Sequence, residues 1–227
     1  MKRALVFLII ITINFSFSQE IINREIGEFY KIQIYDILKV NLIKSDTNKV
    51  IISGEFPKNV VVKNKNGELK IRMGIEKRLS GGSTKIDVFY KDLYRIEAKE
   101  GSFVFSKDTL KSRSLYLKSE SGAKVSLKTQ VEDLTVKAIT GGEVMLSGSN
   151  THNEVIIYTG GQVDLKNLTN QTSKVYIKAG GVVDVLTSSL LEIDIKAGGV
   201  VNVHTKTNKI IEKRVLGGVV NYLYNDN

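Results

Sequence analysis

Four polar residues recur at one place in a repeating phrase: Asp164, Asp184, Asn202 and Asn221 each stand four positions after the first glycine of a Gly-Gly pair. In a stacked β array, equivalent residues of adjacent coils lie ~4.8 Å apart. Two successive aspartates could then bind Ca²⁺ through carboxylate oxygens or act as the paired acids of a glycosidase. Calcium wants six or more oxygens, no acidic column flanks this one, and the column ends in asparagines. It reads first as a solvated polar ladder. The two histidines, His152 and His204, fall at +11 and +6 of their coils and so share no register. They read as solvated turn residues, since a metal site or a catalytic base needs a second ligand or an orienting carboxylate nearby. The chain has no cysteine, which removes thiolate nucleophiles and zinc–thiolate sites, and no serine sits in a nucleophile-elbow context. No catalytic residue, metal site or cofactor is assigned.

One outward column is apolar instead. Position +2 reads Lys124, Glu143 and Gln162 and then Val182, Val200 and Val219. A line of β-branched residues stabilises strands by cross-strand packing, and a contiguous apolar stripe can also mark a contact surface. These three valines are the candidate contact stripe. The expectation is weak self-association, or docking of a partner, through the C-terminal coils.

The elements that carry these columns follow from a period. The first glycines of the phrase are Gly101, Gly122, Gly141, Gly160, Gly180, Gly198 and Gly217, about 19 residues apart, and position +3 is valine in all seven. Behind each glycine, positions −5 and −3 are apolar in most coils and −4 is mostly polar, as in Ile96, Glu97 and Ala98. Such alternation is a half-buried strand. The chain is therefore all-β, a single-stranded, right-handed β-helix-like solenoid. Each coil is strand, glycine corner, strand and a polar return such as residues 166–172, and it buries its apolar face only against its neighbours.

Position +1 is never larger than serine, as expected where a sharp bend is stacked between like bends. A glycine-rich phosphate cradle would need a helix after the glycines, and a strand follows each one. Residues 19–95 lack the phrase but read as strands at 31–35, 39–43, 49–53, 60–63, 68–73 and 85–90, with Asn66-Gly67 as a hairpin turn signal. They are expected to continue the stack irregularly ahead of the regular coils at 96–227, as one continuous domain 19–227. Residues 76–84, with Arg78 and Gly81-Gly82, are the candidate mobile loop. The last coil carries Glu212 and Arg214 at inward positions. Either its register slips to bury Ile211 and Val215, or it is a cap.

Residues 1–18 have the form of a signal peptide: Lys2 and Arg3, an apolar stretch from Ala4 to Phe15, and a small-x-small site that places cleavage between Ser18 and Gln19. That stretch is too short for a membrane span, which needs ~20 residues. The expected location is the periplasm or the cell surface. Of 227 residues, 33 are Lys or Arg and 24 are Asp or Glu, for a formal net charge of +9. A basic exported surface attracts anionic glycans or lipid head groups. The chain shows no basic cluster interleaved with aromatics, so nucleic acid is not an expected partner.

The segments Phe29-Tyr30-Lys31-Ile32, Val40-Asn41-Leu42, Val50-Ile51-Ile52, Gly67-Glu68-Leu69-Lys70-Ile71, Ile86-Asp87-Val88 and Glu100-Gly101-Ser102, followed by Ser121-Gly122-Ala123 and the Gly-Gly phrases, resemble the putative auto-transporter adhesin head GIN domain family. That family has no assigned function and is common in exported proteins of Bacteroidetes. The resemblance covers nearly all of residues 25–225. It implies a right-handed β-helix-like fold shaped like that of pectin lyases, with adhesion inferred from shape, and it brings no catalytic residues. Many members carry a lipoprotein cysteine that this chain lacks. The leading expectation is an exported, non-enzymatic envelope binding or adhesion module whose partner is an anionic polysaccharide or an envelope protein. The alternatives are a polysaccharide lyase or hydrolase on the same scaffold and an envelope-stress accessory or scaffold protein.

Overall fold

The computed structural model describes residues 20–224; the expected signal segment and its Ser18–Gln19 cleavage site lie outside them. Fifteen strands among the described residues join in one wrapped sheet. The N-terminal part contains β1 (Ile22–Glu25), β2 (Lys31–Ile34), β3 (Lys39–Lys44), β4 (Lys49–Gly54), β5 (Val60–Lys65), β6 (Glu68–Met73) and β7 (Thr84–Tyr90). The coils follow as β8 (Arg95–Lys99), β9 (Phe103–Glu120), β10 (Lys124–Ile139), β11 (Glu143–Val185), β12 (Thr187–Ala197), β13 (Val200–Val203), β14 (Lys209–Leu216) and β15 (Val219–Tyr222). The chain is a β-solenoid of about 7 turns with coils spaced ~19 residues apart.

The apolar columns build the core as their alternation requires. Ile96, Leu117, Val136, Val155, Val175 and Ile193 are buried before the corner, and Val104, Val125, Val144, Val163, Val183 and Val201 after it. Parallel pairing keeps each column in register, with Val125 beside Val104 and Val144, and Val183 beside Val201. The return segments differ from the expected solvated loops. Lys128–Val131 pairs with Ser147–Asn150, and Leu110, Val131 and Leu168 are buried there together with Thr129, Asn150 and Asn170. Backbone groups on the return gain ladder partners that way, so β9, β10 and β11 run on through their bends.

Six of the seven glycine corners take one of two forms. In the first three coils the left-handed residues are Glu100 and Gly101, Ser121 and Gly122, and Thr140 and Gly141; in the last three they are Gly180 and Gly181, Gly198 and Gly199, and Gly217 and Gly218. The corner between these groups has Gly160 alone at positive φ. Ser102 therefore sits at a corner position of ordinary φ. Its buried hydroxyl donates to the Ile34 carbonyl at 3.2 Å and accepts from the Lys99 amide at 3.0 Å. Alanine would fit there, but at the loss of both bonds.

The solenoid begins before the glycine phrase does. β2 pairs with β8 and β3 with β9, which sets Lys31 beside Arg95 and Lys39 beside Phe103. The corner between β2 and β3 is made by Asp36 and Ile37, at φ of 59 and 61°. Stacking order then departs from chain order, because β6 and β7 pair with the other edges of β2 and β3. The corner of that coil is opened into residues 74–83, which hold two short 3-10 turns. Antiparallel strands β4 and β5 cover β7 and β6, and β1 lies outside β4. The Asn66-Gly67 turn joins β5 to β6 with both residues at positive φ.

At the other end the register does not slip. Ile193 pairs with Glu212 and Ile195 with Arg214, so Ile211 and Val215 stay exposed at 47% and 56%. The inward pair closes on itself: Arg214 Nε lies 2.6 Å from Glu212 Oε1, and the Tyr222 hydroxyl donates to Glu212 Oε2 at 3.2 Å. Inward charge on a terminal strand discourages further edge pairing, so Glu212 and Arg214 cap β14, while β15 of the same coil leaves Val219 and Tyr222 exposed.

Candidate functional site

The +4 column is a hydrogen-bonded ladder, divided between its two aspartates. Asn221 Nδ2 donates to Asn202 Oδ1 at 2.9 Å, and Asn202 Nδ2 donates to Asp184 Oδ1 at 3.1 Å. His204 Nε2 lies 2.6 Å from the same Asp184 oxygen. Asp164 turns instead to its own coil, 2.9 Å from Lys166 Nζ, and accepts from the Lys166 amide at 3.1 Å. Each carboxylate is therefore engaged by a different partner. His152 is exposed, as expected, but lies on a strand rather than a turn, with Nδ1 2.7 Å from Thr172 Oγ1; His204 is half-buried against Asp184. Position +6 of one coil is diagonal to +4 of the coil before it on the same outward face, and that relation was open to reading.

Val182, Val200 and Val219 form one outward row, with 182 beside 200 and 200 beside 219. The first two are half-buried, and Val219 is 49% exposed at the open end. A shallow depression of about 180 Å³ begins at Val182 and runs over Gln162, Glu143, Met145, Asp164 and Asp184.

A richer surface lies on the opposite side of the corners. The strand order β5, β6, β2, β8, β9, β10, β11, β12, β14 makes one broad face, whose outward residues are the positions between the buried −5 and −3 columns and those flanking them. Tyr35, Tyr116, Tyr158 and Tyr176 stand on it, half-buried, among lysines and arginines. Cations settle over the rings: Arg95 over Tyr116 at 4.2 Å, Lys178 over Tyr158 at 4.4 Å, Lys99 over Tyr35 at 5.3 Å and Lys137 over Tyr116 at 5.6 Å. Each such contact contributes about 0.5–1 kcal/mol at exposed sites and holds its ring in place.

Glu97 anchors this face. Its carboxylate is buried, 2.7 Å from Arg95 Nε and 3.0 Å from Lys99 Nζ. Burial pushes its pKa up, but the hydrogen bonds and charges of Lys99 and Arg95 prevail and hold it below the ordinary glutamate value. Burial likewise disfavours the Lys99 ammonium, and Glu97 outweighs this to raise its pKa. A carboxylate depressed in the folded state contributes stability that is complete above the unfolded value, about 4.3, and is lost as pH falls through the folded one. Acidification from about pH 5 to pH 3 should thus weaken the native protein more steeply than Glu97→Gln. Urea melts across that range check it; equal slopes would mean the carboxylate gains nothing from its partners.

Where the face meets the opened corner it deepens into a groove of about 320 Å³, lined by Tyr35, Asp36, Val61, Lys63, Lys70, Arg72, Arg78 and Glu100. One wall is the ribbon of β5 and β6, where Lys63 pairs directly with Lys70 and Val61 with Arg72. The other wall is residue 78 of the loop. Arg78 Nε donates to Asp36 Oδ1 at 2.8 Å, and its Nη2 reaches both Glu100 carboxylate oxygens at 3.1 and 3.2 Å. Asp36 also accepts from the Met73 amide at 3.1 Å. The loop expected to be mobile is therefore tied to two successive corners. Gly81 closes against it, where a Cβ would lie 2.2 Å from the Asp36 carbonyl.

Sequence reading reached the valine row and the polar ladder but not this groove. The tyrosines fall at −6, −4 and −2 without a fixed column, and Lys63, Arg72 and Arg78 belong to segments outside the repeat. A signal was present in the cations that alternate along 63–72, once that segment is recognised as two strands of one ribbon.

A family model described as "putative auto-transporter adhesin, head GIN domain" matches residues 28–206. No curated protein matches the sequence. Among solved structures, a "putative adhesin" from Bacteroides fragilis superposes with a TM-score of 0.82 at 16% identity, covering 91% of this chain and 97% of that one. A "putative adhesin" from Parabacteroides merdae gives 0.72 at 14% identity, covering 90% and 97%. A "putative lipid binding protein" from Parabacteroides distasonis gives 0.69 at 15%, covering 91% and 98%. At these identities the likeness establishes the fold.

Proposed function

The chain belongs to the auto-transporter adhesin head GIN domain family, and on that premise we propose that it is an exported, non-enzymatic envelope module that binds an extended polymer along its tyrosine- and cation-bearing face. The observation that carries this reading is the row of ring–cation pairs, from Lys99–Tyr35 to Lys178–Tyr158, on one rigid parallel sheet. The nine strands give ten passes of chain, because β11 crosses the face twice, beside β10 and again beside β12. At ~4.8 Å apart they make it about 43 Å wide, long enough to follow a polymer. Rings fixed in advance lose little entropy when a ligand stacks on them. The divided partners of Asp164 and Asp184 favour binding over acid-pair hydrolysis. Among the described residues no helix is long and apolar enough to cross a membrane.

A glycan array and pull-downs with cell-envelope polymers test the proposal. Tyr158→Thr with Tyr176→Thr should weaken capture about tenfold, from the loss of two stacking platforms at roughly 0.5–1.5 kcal/mol each, without lowering the melting temperature. No capture of any envelope or host polymer, or capture indifferent to both tyrosines, would sink it. Exposed Val219, Tyr222 and Leu223 at the open end support a second proposal, weak self-association through the C-terminal coils. Sedimentation at several protein concentrations decides that one.

A further inference from the structure

We propose that the groove between the β5–β6 ribbon and Arg78 is a subsite for one acidic sugar residue, bearing a carboxylate or a sulfate ester, of an extracellular polysaccharide; it rests on the polymer-binding reading above and narrows it to one place and one charge. The groove's own charges argue for an anion. Lys63 and Lys70 are direct cross-strand neighbours, an arrangement of like charges that is unfavourable in a sheet. Arg72 stands beside them on the same face. Lys70 has Glu68 at 3.3 Å, whereas Lys63 and Arg72 have no carboxylate within ion-pair distance among the described residues. A bound anion relieves that repulsion and receives charge-assisted hydrogen bonds, with Arg72 able to present two in one plane.

The remaining lining argues that the anion is carried by a sugar. Glu100 stands in the same groove with its side chain 40% exposed, while Asp36, 4% exposed, is taken up by Arg78 and the Met73 amide. An exposed carboxylate repels a bare phosphate or sulfate, but it accepts hydrogen bonds from ring hydroxyls. Tyr35 and Val61 supply an apolar patch of the kind a pyranose face packs on, and the Tyr35 ring is fixed by its own hydroxyl, which donates to Gln33 at 2.7 Å. The volume, about 320 Å³, is at the small end of ligand sites and suits a single ring. Arg78 is already engaged by Asp36 and Glu100, so it builds the wall and leaves the ligand to Lys63, Lys70 and Arg72. The groove opens onto the tyrosine face, so a chain seated there continues along the sheet.

The test uses the mature chain in titrations with a sulfated heparin hexasaccharide, an oligogalacturonate, a neutral dextran oligosaccharide and phosphatidylglycerol vesicles. At least one acidic oligosaccharide should bind and the neutral one should not; which of the two binds tighter assigns sulfate or carboxylate. Lys63→Ala with Arg72→Ala should weaken that binding at least about thirtyfold. The charge-matched control, Lys85→Ala with Lys107→Ala, should weaken it by less than about threefold, because distant surface charge is screened by salt. Equal weakening by both pairs, binding to vesicles alone, or equal binding of the neutral oligosaccharide overturns the subsite. If the tyrosine substitutions weaken binding and the groove pair does not, the subsite falls and the face reading stands. If no oligosaccharide or polymer binds at all, both fall. Melting curves of each variant show that the fold is kept.

Discussion

Val163→Asp abolishes folding of the mature protein, while Gln162→Asp, one residue away, costs less than about 1 kcal/mol. Val163 is 1% exposed and lies in the valine column between Val144 and Val183, themselves 1% and 0% exposed. The Gln162 amide donates to the Gly142 carbonyl at 2.9 Å, which fixes the register and turns the Gln162 side chain outward. An aspartate in place of Val163 meets only hydrocarbon above and below. Burying a carboxylate with no partner costs several kcal/mol, against a net stability of about 5–15 kcal/mol for a whole domain. The damage does not stay local, because each coil buries its apolar face only against the next. Thermal melts of the two purified variants read this out, with soluble yield as a second measure. Comparable shifts in both would mean that the strand has been placed one residue out of register, which would turn every side chain of the coil to the other face.

Much of this architecture was legible because a solenoid repeats its physical problem every ~19 residues. A valine three places after each glycine is the same solution to the same inward site, so period and face could be read together. The first coil escaped for an equally physical reason. Asp36 and Ile37 hold the left-handed corner at φ of 59 and 61° that later coils give in part or wholly to glycine, so the glycine phrase has no trace there. Nor could chain order reveal that the β6–β7 coil stacks outside the β2–β3 coil. Strand alternation records which face is buried, not which neighbour buries it. The return segments misled in another way: a polar stretch such as 166–172 looks solvated until its backbone is seen to continue the ladder, with Leu168 buried beneath.

The candidate site was less legible, since its residues come from different coils. Asp184 was singled out, but its partner His204 is 20 residues away, one coil on and two places along, a diagonal that a column-by-column reading passes over. Arg78 was placed in a loop with no visible purpose. Its role appears only when the opened corner is seen to fold over Asp36 and Glu100, residues 42 and 22 positions away. Cations on a basic chain are plentiful; what distinguishes Lys63 and Arg72 is the lack of a carboxylate partner beside a ring and one exposed acceptor, Glu100, and that is a fact of three-dimensional neighbourhood.

Gly181→Val should come close to unfolding the C-terminal half, whereas Gly122→Asn should cost less than about 1 kcal/mol. Both glycines have positive φ, 122° and 71° respectively, so conformational preference alone disfavours substitution at either. What separates them is space. No atom lies within 4 Å of the place where a Cβ on Gly122 would stand, and asparagine tolerates its left-handed backbone. Ser121 and Thr140 already hold φ of 55 and 48° in the same corners. A Cβ on Gly181 would lie 2.6 Å from the Gly161 carbonyl oxygen and 2.6 Å from Ile157 Cγ2, two fixed atoms of the coil below. At φ of 122° a β-branched residue is also a conformational outlier. Valine therefore brings strain of about 1–3 kcal/mol together with a clash that parts two stacked coils, a combined cost of at least about 4 kcal/mol. Chemical denaturation of the two variants measures the difference, and limited proteolysis should show cleavage of Gly181→Val beginning near that corner. Equal tolerance of both substitutions would mean that the corners are not packed coil upon coil, and the rigid face proposed for polymer binding would lose its support.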